Sequence, residues 1–244
     1  MYNFFVDSSE INEKNAVISG SDYNHIKNVL RMKPGTKIFI NSKENNETFL
    51  SEIIGFEKNS VICKILEKVE SNEMPVKITL FQGLPKSDKM EYIIQKSVEL
   101  GVYEIVPVEM KNCVAKLNNE ENKIKRWNTI SETAAKQSKR NIIPKVWNKI
   151  TFEELKNKIK DYDLAIVAYE NEKHTNLKEV LQDNKDAKNI AIIIGPEGGI
   201  DEKEINALEE NNCKVASLGK RILRTETAPI AMLSMITYEF EMWY

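Results

Sequence analysis

From residue 75 onward, short apolar runs alternate with segments of helical periodicity, and no other feature constrains the fold of this chain as strongly. Such runs predict buried strands, and an alternation of strands with helices is typical of a parallel sheet with helices on both faces. We therefore predict an α/β domain. Its strands are expected at Lys77–Gln82, Glu104–Val108, Leu164–Ala168, Ile190–Ile194 and Lys214–Leu218.

Residues 1–70 follow a different pattern, in which turn residues such as Pro34 and Gly35 separate short strands. One helix is predicted among them, over 22–32. Because many short strands expose many edges, a small closed β-barrel is the expected arrangement. The polar stretch 70–75 marks a boundary, so we predict domains at 1–70 and 75–244. The strands of the first domain are expected at Tyr2–Val6, Ala16–Ser19, Lys37–Asn41, Thr48–Ile54 and Ser60–Glu67.

The spacing of polar residues predicts where several helices begin. A Thr or Asp followed three positions later by Glu is typical of a helix N-terminus, because each side chain can bond the other residue's backbone amide. Pairs with this spacing are Asp88 with Glu91, Thr151 with Glu154, and Asp201 with Glu204.

The total charge is nearly balanced, with 35 Lys and Arg against 37 Asp and Glu, and taken alone it argues against a nucleic-acid partner. The distribution of charge along the chain reverses that inference. Residues 75–150 carry 14 basic and 8 acidic side chains, whereas residues 151–244 carry 12 and 18. Part of the basic segment is predicted as one amphipathic helix over 123–140. Its outer face is either solvated or in contact with RNA phosphates.

Composition excludes several other classes of protein. The three cysteines, Cys63, Cys113 and Cys213, stand far apart, and there are only two histidines, so neither a disulfide framework nor a metal site is indicated. No apolar run approaches the about 20 residues that a membrane helix needs. We expect a cytoplasmic protein without a metal.

A Gly-rich turn over 195–199 directly follows the predicted strand Ile190–Ile194. Parallel sheets bind ligands at the carboxyl ends of their strands, and glycines let a ligand approach the backbone. The turn matches neither a P-loop nor a dinucleotide motif, and the carboxylate of Glu197 would repel a phosphate. It is therefore either a tight connection or a site for a nucleoside ligand without phosphates.

Only five arginines occur among the basic residues, and two of them, Arg221 and Arg224, stand three positions apart after the last predicted strand. Lysine cannot replace the planar donor fork of arginine. The segment either grips a polyanion or is a solvated loop. The second reading is less favourable because it would expose Ile222 and Leu223.

Six segments, in this order along the chain, resemble the motifs of the RsmE family of ribosomal RNA methyltransferases, which belongs to the SPOUT superfamily. Together they span nearly the whole chain and include or adjoin all five arginines. Lys139 departs from the pattern, since a small residue is common there. The matching segments are His25–Gly35, Gly83–Met90, Gln95–Gly101, Glu132–Arg140, Gly195–Gly199 and Leu218–Ala228.

The resemblance implies a PUA-like β-barrel for RNA, followed by a SPOUT domain whose last segment forms a trefoil knot. It implies a homodimer that uses S-adenosyl-L-methionine (SAM) to methylate N3 of one uridine in 16S rRNA of the 30S subunit. Two alternatives stay open, namely a SPOUT methyltransferase for another RNA such as tRNA, and a non-catalytic RNA-binding assembly factor.

The matching motifs also suggest roles for individual residues. Arg224 is the expected stabiliser of negative charge on the uracil, with Arg221 and Arg140 as alternatives. Glu226 and Glu197 are the available carboxylates, and neither is assigned as a general base. The SAM-binding residues are expected to be Ala168, Gly195, Glu197, Gly198, Gly199, Leu218, Gly219, Ile222 and Leu223. The RNA-binding residues are expected to be Arg31, Lys33, Lys86, Arg126, Lys136, Arg140 and Arg221.

Overall fold

The computed structural model describes residues 1–86, 89–115, 117 and 119–241. The chain divides into two compact units. The first comprises Met1–Glu73 with Ala135–Ile143, and the second comprises Met74–Ala134 with Pro144–Tyr244. The sequence predicted two continuous domains, so the grouping of 135–143 with the N-terminal strands is a feature that the pattern did not indicate.

The first unit is built on a five-stranded sheet with the order β1-β3-β4-β5-β2. The pairing of β1 with β3 is parallel, and the other neighbours pair antiparallel. Isoleucines from alternate positions, such as Ile38 and Ile40, are fully buried and form its core. The strands are β1 (Asn3–Val6), β2 (Asn15–Ser19), β3 (Lys37–Ser42), β4 (Thr48–Glu57) and β5 (Ser60–Val69).

The single helix predicted over 22–32 is divided in the structure. Helix α1 (Gly20–Asn24) continues as one π-helical turn over His25–Val29, in which the Leu30 amide donates to the carbonyl of His25 at 2.8 Å. The helical segment ends there, and Arg31 turns the chain with a left-handed φ of 51°. The prediction placed the helix end too late because its apolar spacing continues through this irregular turn.

A buried polar network in the first unit explains why residues 139–143 belong to it. The side-chain amide of Asn141 donates to the Thr48 hydroxyl at 2.6 Å, and that hydroxyl donates to Asn41 at 2.7 Å. The guanidinium of Arg140, with 7% of its side chain exposed, pairs with the carboxylate of Glu73. Because buried polar groups are costly without partners, these contacts hold the segment in place.

The second unit contains a seven-stranded sheet with the order β12-β10-β11-β6-β7-β8, and β9 pairs with β7. Every pairing is parallel, so the predicted parallel sheet is confirmed. The strands are β6 (Lys77–Gly83), β7 (Glu104–Glu109), β8 (Lys145–Val146), β9 (Ile150–Thr151), β10 (Leu164–Ala168), β11 (Asn189–Ile194) and β12 (Lys214–Ala216).

Among the helices of the second unit, α7 contacts both α2 and α5, and α4 contacts α6. The capping boxes predicted for Thr151 with Glu154 and for Asp201 with Glu204 are confirmed. Asp88 lies outside the described residues. The remaining helices are α2 (Lys89–Glu99), α3 (Glu120–Ser138), α4 (Phe152–Lys158), α5 (Leu177–Gln182), α6 (Glu202–Glu209) and α7 (Ala228–Phe240).

Helix α3 ends at Ser138 because the next residue, Lys139, adopts a left-handed φ of 59°. This conformation is strained for any residue with a Cβ, so glycine is the residue that would suit the position best. Within the described ranges, none of the helices combines the length and apolar character needed to cross a bilayer.

We expect Glu73→Ala to lower the free energy of unfolding of the protein by about 3–5 kcal/mol, because the variant removes the carboxylate that pairs with the buried Arg140 guanidinium. Urea denaturation followed by circular dichroism measures the change. The matched control is Glu47→Ala, which removes an exposed ion pair with Lys68 and is expected to cost at most about 1 kcal/mol. Equal losses in the two variants would contradict this account of the network.

Candidate functional site

A cavity of about 340 Å³ lies in the second unit at the carboxyl-terminal edge of the sheet. Strands β10 and β11 end there at Ala168 and Ile194, which both line it. The Gly-rich turn over 195–199 forms one wall, and the segment over 222–225 forms another. The structure therefore brings together the two motifs that the sequence analysis singled out, although 22 residues separate Gly195 from Ser217 along the chain.

Close packing around the Gly-rich turn requires glycine at particular places. A Cβ on Gly83, at the end of β6, would lie 2.7 Å from the backbone nitrogen of Pro196. Gly199 has a φ of +70°, and a Cβ there would lie 2.7 Å from a carboxylate oxygen of Glu170. At Gly195 and Gly199 the turn consequently presents backbone to the cavity, beside the side chains of Pro196 and Glu197.

The hydroxyl of Thr225 joins the two walls of the cavity. It donates to the carbonyl of Gly195 at 2.7 Å and accepts from the side-chain amide of Gln82 at 3.1 Å. Gln82 is fully buried and Thr225 is 6% exposed, so water does not compete for these hydrogen bonds. The relay holds the segment that follows β12 against the turn that follows β11.

A smaller recess of about 60 Å³ shares Ala168, Ile222 and Leu223 with the main cavity. Leu218 and Gly219 line the recess, and Gly219 has a φ of +124°. Ile222 is 83% exposed, which is unusual for an apolar residue of its size. Its exposure fits a wall that is covered only when a ligand or a partner is present.

Four charged side chains form a chain of ion pairs at the mouth of the cavity. The Lys89 ammonium lies 3.1 Å from a carboxylate oxygen of Glu197 and 3.1 Å from one of Glu226. Glu197 also accepts from the backbone amide of Lys86 at 3.0 and 3.2 Å. The Arg224 guanidinium lies 3.9 Å from Glu226. This arrangement links the start of α2 to both walls.

The charges reinforce one another. The carboxylates of Glu226 and Glu197 raise the pKa of the Lys89 ammonium. Burial opposes ionisation of Glu226, but its own backbone amide and Lys89 outweigh burial and hold the pKa of Glu226 below its ordinary value. The same opposition acts on Glu197, where backbone amides and Lys89 lower the pKa. Both carboxyl groups are therefore ionised at neutral pH.

The predicted RNA-binding residues fall into two groups. Lys33 and Arg31 in the first unit, and Lys86 and Arg221 in the second, are exposed. The others have acidic partners within their own unit. Arg126 pairs with Glu91 at 2.8 Å, Lys136 pairs with Asp22 at 3.0 Å, and Arg140 is buried against Glu73. The burial of Arg140 indicates that it stabilises the first unit.

The sequence analysis did not single out Lys89, Gln82, Thr225 or Glu170, all of which help to build the cavity. Lys89 and Thr225 lie inside the segments that resemble the family motifs, and this position is the sequence signal that could have identified them. Glu170 lies two residues after strand β10, and a carboxylate at the ligand-binding edge of the sheet is a signal that the sequence does carry. Nothing in the local pattern distinguishes Gln82. Among the described residues, no cluster of His, Cys, Asp and Glu suited to a metal ion occurs.

The fold and this cavity define the class of the protein, which is that of the RNA methyltransferases. A family model described as an RNA methyltransferase domain matches residues 72–237, and one described as an RNA methyltransferase PUA domain matches residues 18–66. A crystal structure of ribosomal RNA small subunit methyltransferase E from Neisseria gonorrhoeae, bound to S-adenosyl methionine, aligns with a TM-score of 0.85 at 30% identity over 98% of this chain and 97% of that one.

Curated relatives narrow the class further. Ribosomal RNA small subunit methyltransferase E of Bacillus subtilis (strain 168) is 37% identical, over 92% of this chain and 90% of the relative. The protein of the same name from Mesomycoplasma hyopneumoniae is 38% identical, over 96% and 98%. The chain belongs to the ribosomal RNA small subunit methyltransferase E family, as the motif resemblance implied.

We expect Thr225→Val to lower the free energy of unfolding by about 1–3 kcal/mol, because it keeps the size of the side chain but leaves the Gly195 carbonyl and the Gln82 amide without their partner. Thr225→Ser retains the hydroxyl and is expected to recover most of the loss. Chemical denaturation of the two variants measures the difference. A serine variant as unstable as the valine variant would show that the hydroxyl does not join the walls.

Proposed function

We propose that this protein transfers the methyl group of SAM to N3 of one uridine in 16S ribosomal RNA of the small subunit, in the cytoplasm. The observation that carries the proposal is the cavity in which a backbone-lined Gly-rich turn faces an arginine-bearing segment at the carboxyl edge of a parallel sheet. Membership of the ribosomal RNA small subunit methyltransferase E family supports this function over action on tRNA or a non-catalytic role in assembly.

The residues of the cavity suit SAM as a ligand. The turn presents bare backbone to the cavity at Gly195 and Gly199, so backbone groups are available to read an adenine. When bound, SAM supplies a methyl group already activated by a sulfonium. The walls that would hold it are Gly195, Glu197, Gly198 and Gly199, with Leu218, Gly219, Ile222, Leu223 and Ala168 opposite.

Arg224 is the residue that we propose acts on the uracil. Its side chain is 83% exposed and it lines the cavity, so it is accessible to an incoming base. Methylation at N3 requires loss of the N3 proton, which places negative charge on the uracil oxygens, and a guanidinium stabilises that charge. Glu226 has a lowered pKa and is therefore a weak base. We propose that it orients Arg224.

The exposed basic residues are the proposed contacts for the RNA backbone. Arg31 and Lys33 follow the π-helical turn of the first unit, and Lys86 and Arg221 flank the walls of the cavity. Their charges would contact phosphates, which position an RNA without reading its sequence. Arg126 and Lys136 would have to leave Glu91 and Asp22 before they could contribute in the same way.

The function is tested by incubating the protein with SAM carrying a labelled methyl group and with either 30S subunits or tRNA. We expect label in 16S rRNA, and mass spectrometry of the digested nucleosides is expected to yield 3-methyluridine. Label in tRNA would favour the alternative substrate, and no label would remove the proposal. In Arg224→Ala we expect the rate to fall by about 100-fold or more while SAM affinity changes little, because the stabilising donor acts in the transition state.

We also propose that the protein forms a homodimer through a groove between α5 and α7. The groove has a volume of about 470 Å³, and its lining is mostly apolar. Met235 and Tyr238 on α7 are 42% and 75% exposed, which leaves a contiguous apolar face on this edge of the unit. A second copy of the same face would bury these side chains in an isologous interface.

Met235→Asp is expected to convert the dimer to a monomer, because it places a charge at the centre of the proposed interface. Sedimentation velocity at several protein concentrations measures the change. Leu66→Asp is the matched control, since Leu66 has a similar exposure of 39% but lies in the first unit. A monomeric wild type, or an unchanged dimer in Met235→Asp, would exclude this face.

A further inference from the structure

We propose that Lys89 is a positioning residue of the cofactor cavity. Its ammonium joins the carboxylates of Glu197 and Glu226, and so holds together the two walls formed by the Gly-rich turn and the arginine-bearing segment. The inference deepens the proposed function and rests on it for the identity of the ligand. Neither the family match nor the predicted site assigns a role to this lysine.

The geometry shows that the bridge joins three separate parts of the chain. Lys89 is the first residue of α2, Glu197 lies in the turn after β11, and Glu226 precedes α7. Both ion-pair distances are 3.1 Å, and the side-chain exposures of Lys89, Glu197 and Glu226 are 33%, 26% and 18%. The pairs are thus partly shielded from solvent, where opposite charges attract more strongly than on an open surface.

Charge explains why the bridge needs a cation. Without Lys89, two partly buried carboxylates would face each other across the mouth of the cavity, and like charges at short range repel. Glu226 would also lose the contact that helps to orient it towards Arg224, 3.9 Å away. Lys89 thereby acts on the arginine through Glu226, without itself touching the uracil.

The charged groups that face Lys89 come from several elements. Glu197 belongs to the turn after β11, Glu226 and Arg224 to the segment before α7, and Glu170, which lines the same cavity, to the segment after β10. On its own helix, the nearby Glu91 pairs with Arg126 at 2.8 Å. Glu197 and Glu226 are therefore the two groups whose protonation should respond to the loss of Lys89.

Protonation can partly replace the lost cation, because neutralising one of the two carboxyl groups removes the repulsion between them. Removing Lys89 should therefore cause a defect that depends on pH. At pH 8 both carboxyl groups of Lys89→Met are ionised and repel. At pH 5.5 a larger fraction of these carboxyl groups is protonated, so the repulsion between the two walls is expected to weaken.

The test compares wild type, Lys89→Met and Lys89→Arg, with calorimetric titration of SAM at pH 8 and pH 5.5. We expect Lys89→Met to bind SAM at least about tenfold more weakly than wild type at pH 8, and within about threefold at pH 5.5. Lys89→Arg should stay within about threefold at both values, because it keeps the charge. A Lys89→Met defect that is absent, or that is the same at both pH values, would overturn the proposal.

Lys96→Met is the matched control, since Lys96 lies on the same helix, has the same 33% side-chain exposure and pairs with Glu99 away from the cavity. It should not change SAM affinity at either pH. Should Lys89→Met fail to fold, Lys89→Gln carries the same comparison.

The bridge is made by side chains of the protein alone, so it is also tested in the free protein. The melting temperature of free Lys89→Met should fall below that of wild type at pH 8 and approach it at pH 5.5. If wild type binds no SAM, the proposed function fails while this readout still decides the role of Lys89. If wild type binds SAM but the melting difference does not depend on pH, only the inference about Lys89 fails.

Discussion

The parallel registration of β10, β11 and β6 is the constraint on which the rest of the structure depends. Adjacent parallel strands deliver their carboxyl ends to one edge of the sheet, so the segments that follow them must meet there. Glycine at the end of β6 allows the turn after β11 to lie against it, and Thr225 then ties the segment after β12 to that turn. Each later contact is possible only because the strands first bring these backbones within reach of one another.

Ion pairs within the protein determine which basic side chains of this chain are available to a partner. The near-neutral total arises from a basic middle segment and an acidic C-terminal one, yet many of the basic side chains in the middle segment are already paired with carboxylates. Arg140 is the extreme case, because burial converts a residue expected to meet RNA into part of the interior of the first unit. Regional charge therefore agrees with a polyanionic partner, but it does not indicate which side chains are available to that partner.

Much of the fold could be read from the sequence, because strand patterning and capping pairs are local signals. The five main strands of the second unit and the caps at Thr151 and Asp201 lie where they were predicted. The relay through Gln82 could not be predicted, since it joins residues 143 positions apart and leaves no periodic trace. The π-helical turn was missed for a similar reason, because its apolar spacing is also that of an α-helix. The trefoil knot stays a prediction of the resemblance, since strand order and register do not state how a chain is threaded.

The inclusion of residues 135–143 in the first unit has a consequence for how the chain is made. The N-terminal strands are complete once residue 73 has been synthesised, but the partners of Glu73 and Thr48 come from Arg140 and Asn141. During synthesis from the N-terminus, the first unit must therefore wait for residues 74–134, more than a third of the second unit, to emerge from the ribosome before its polar interior is satisfied. For the same reason, a fragment that contains only the N-terminal strands would lack part of the first unit. A chain divided into two polypeptides after residue 143 would instead keep every residue of the first unit in the N-terminal piece.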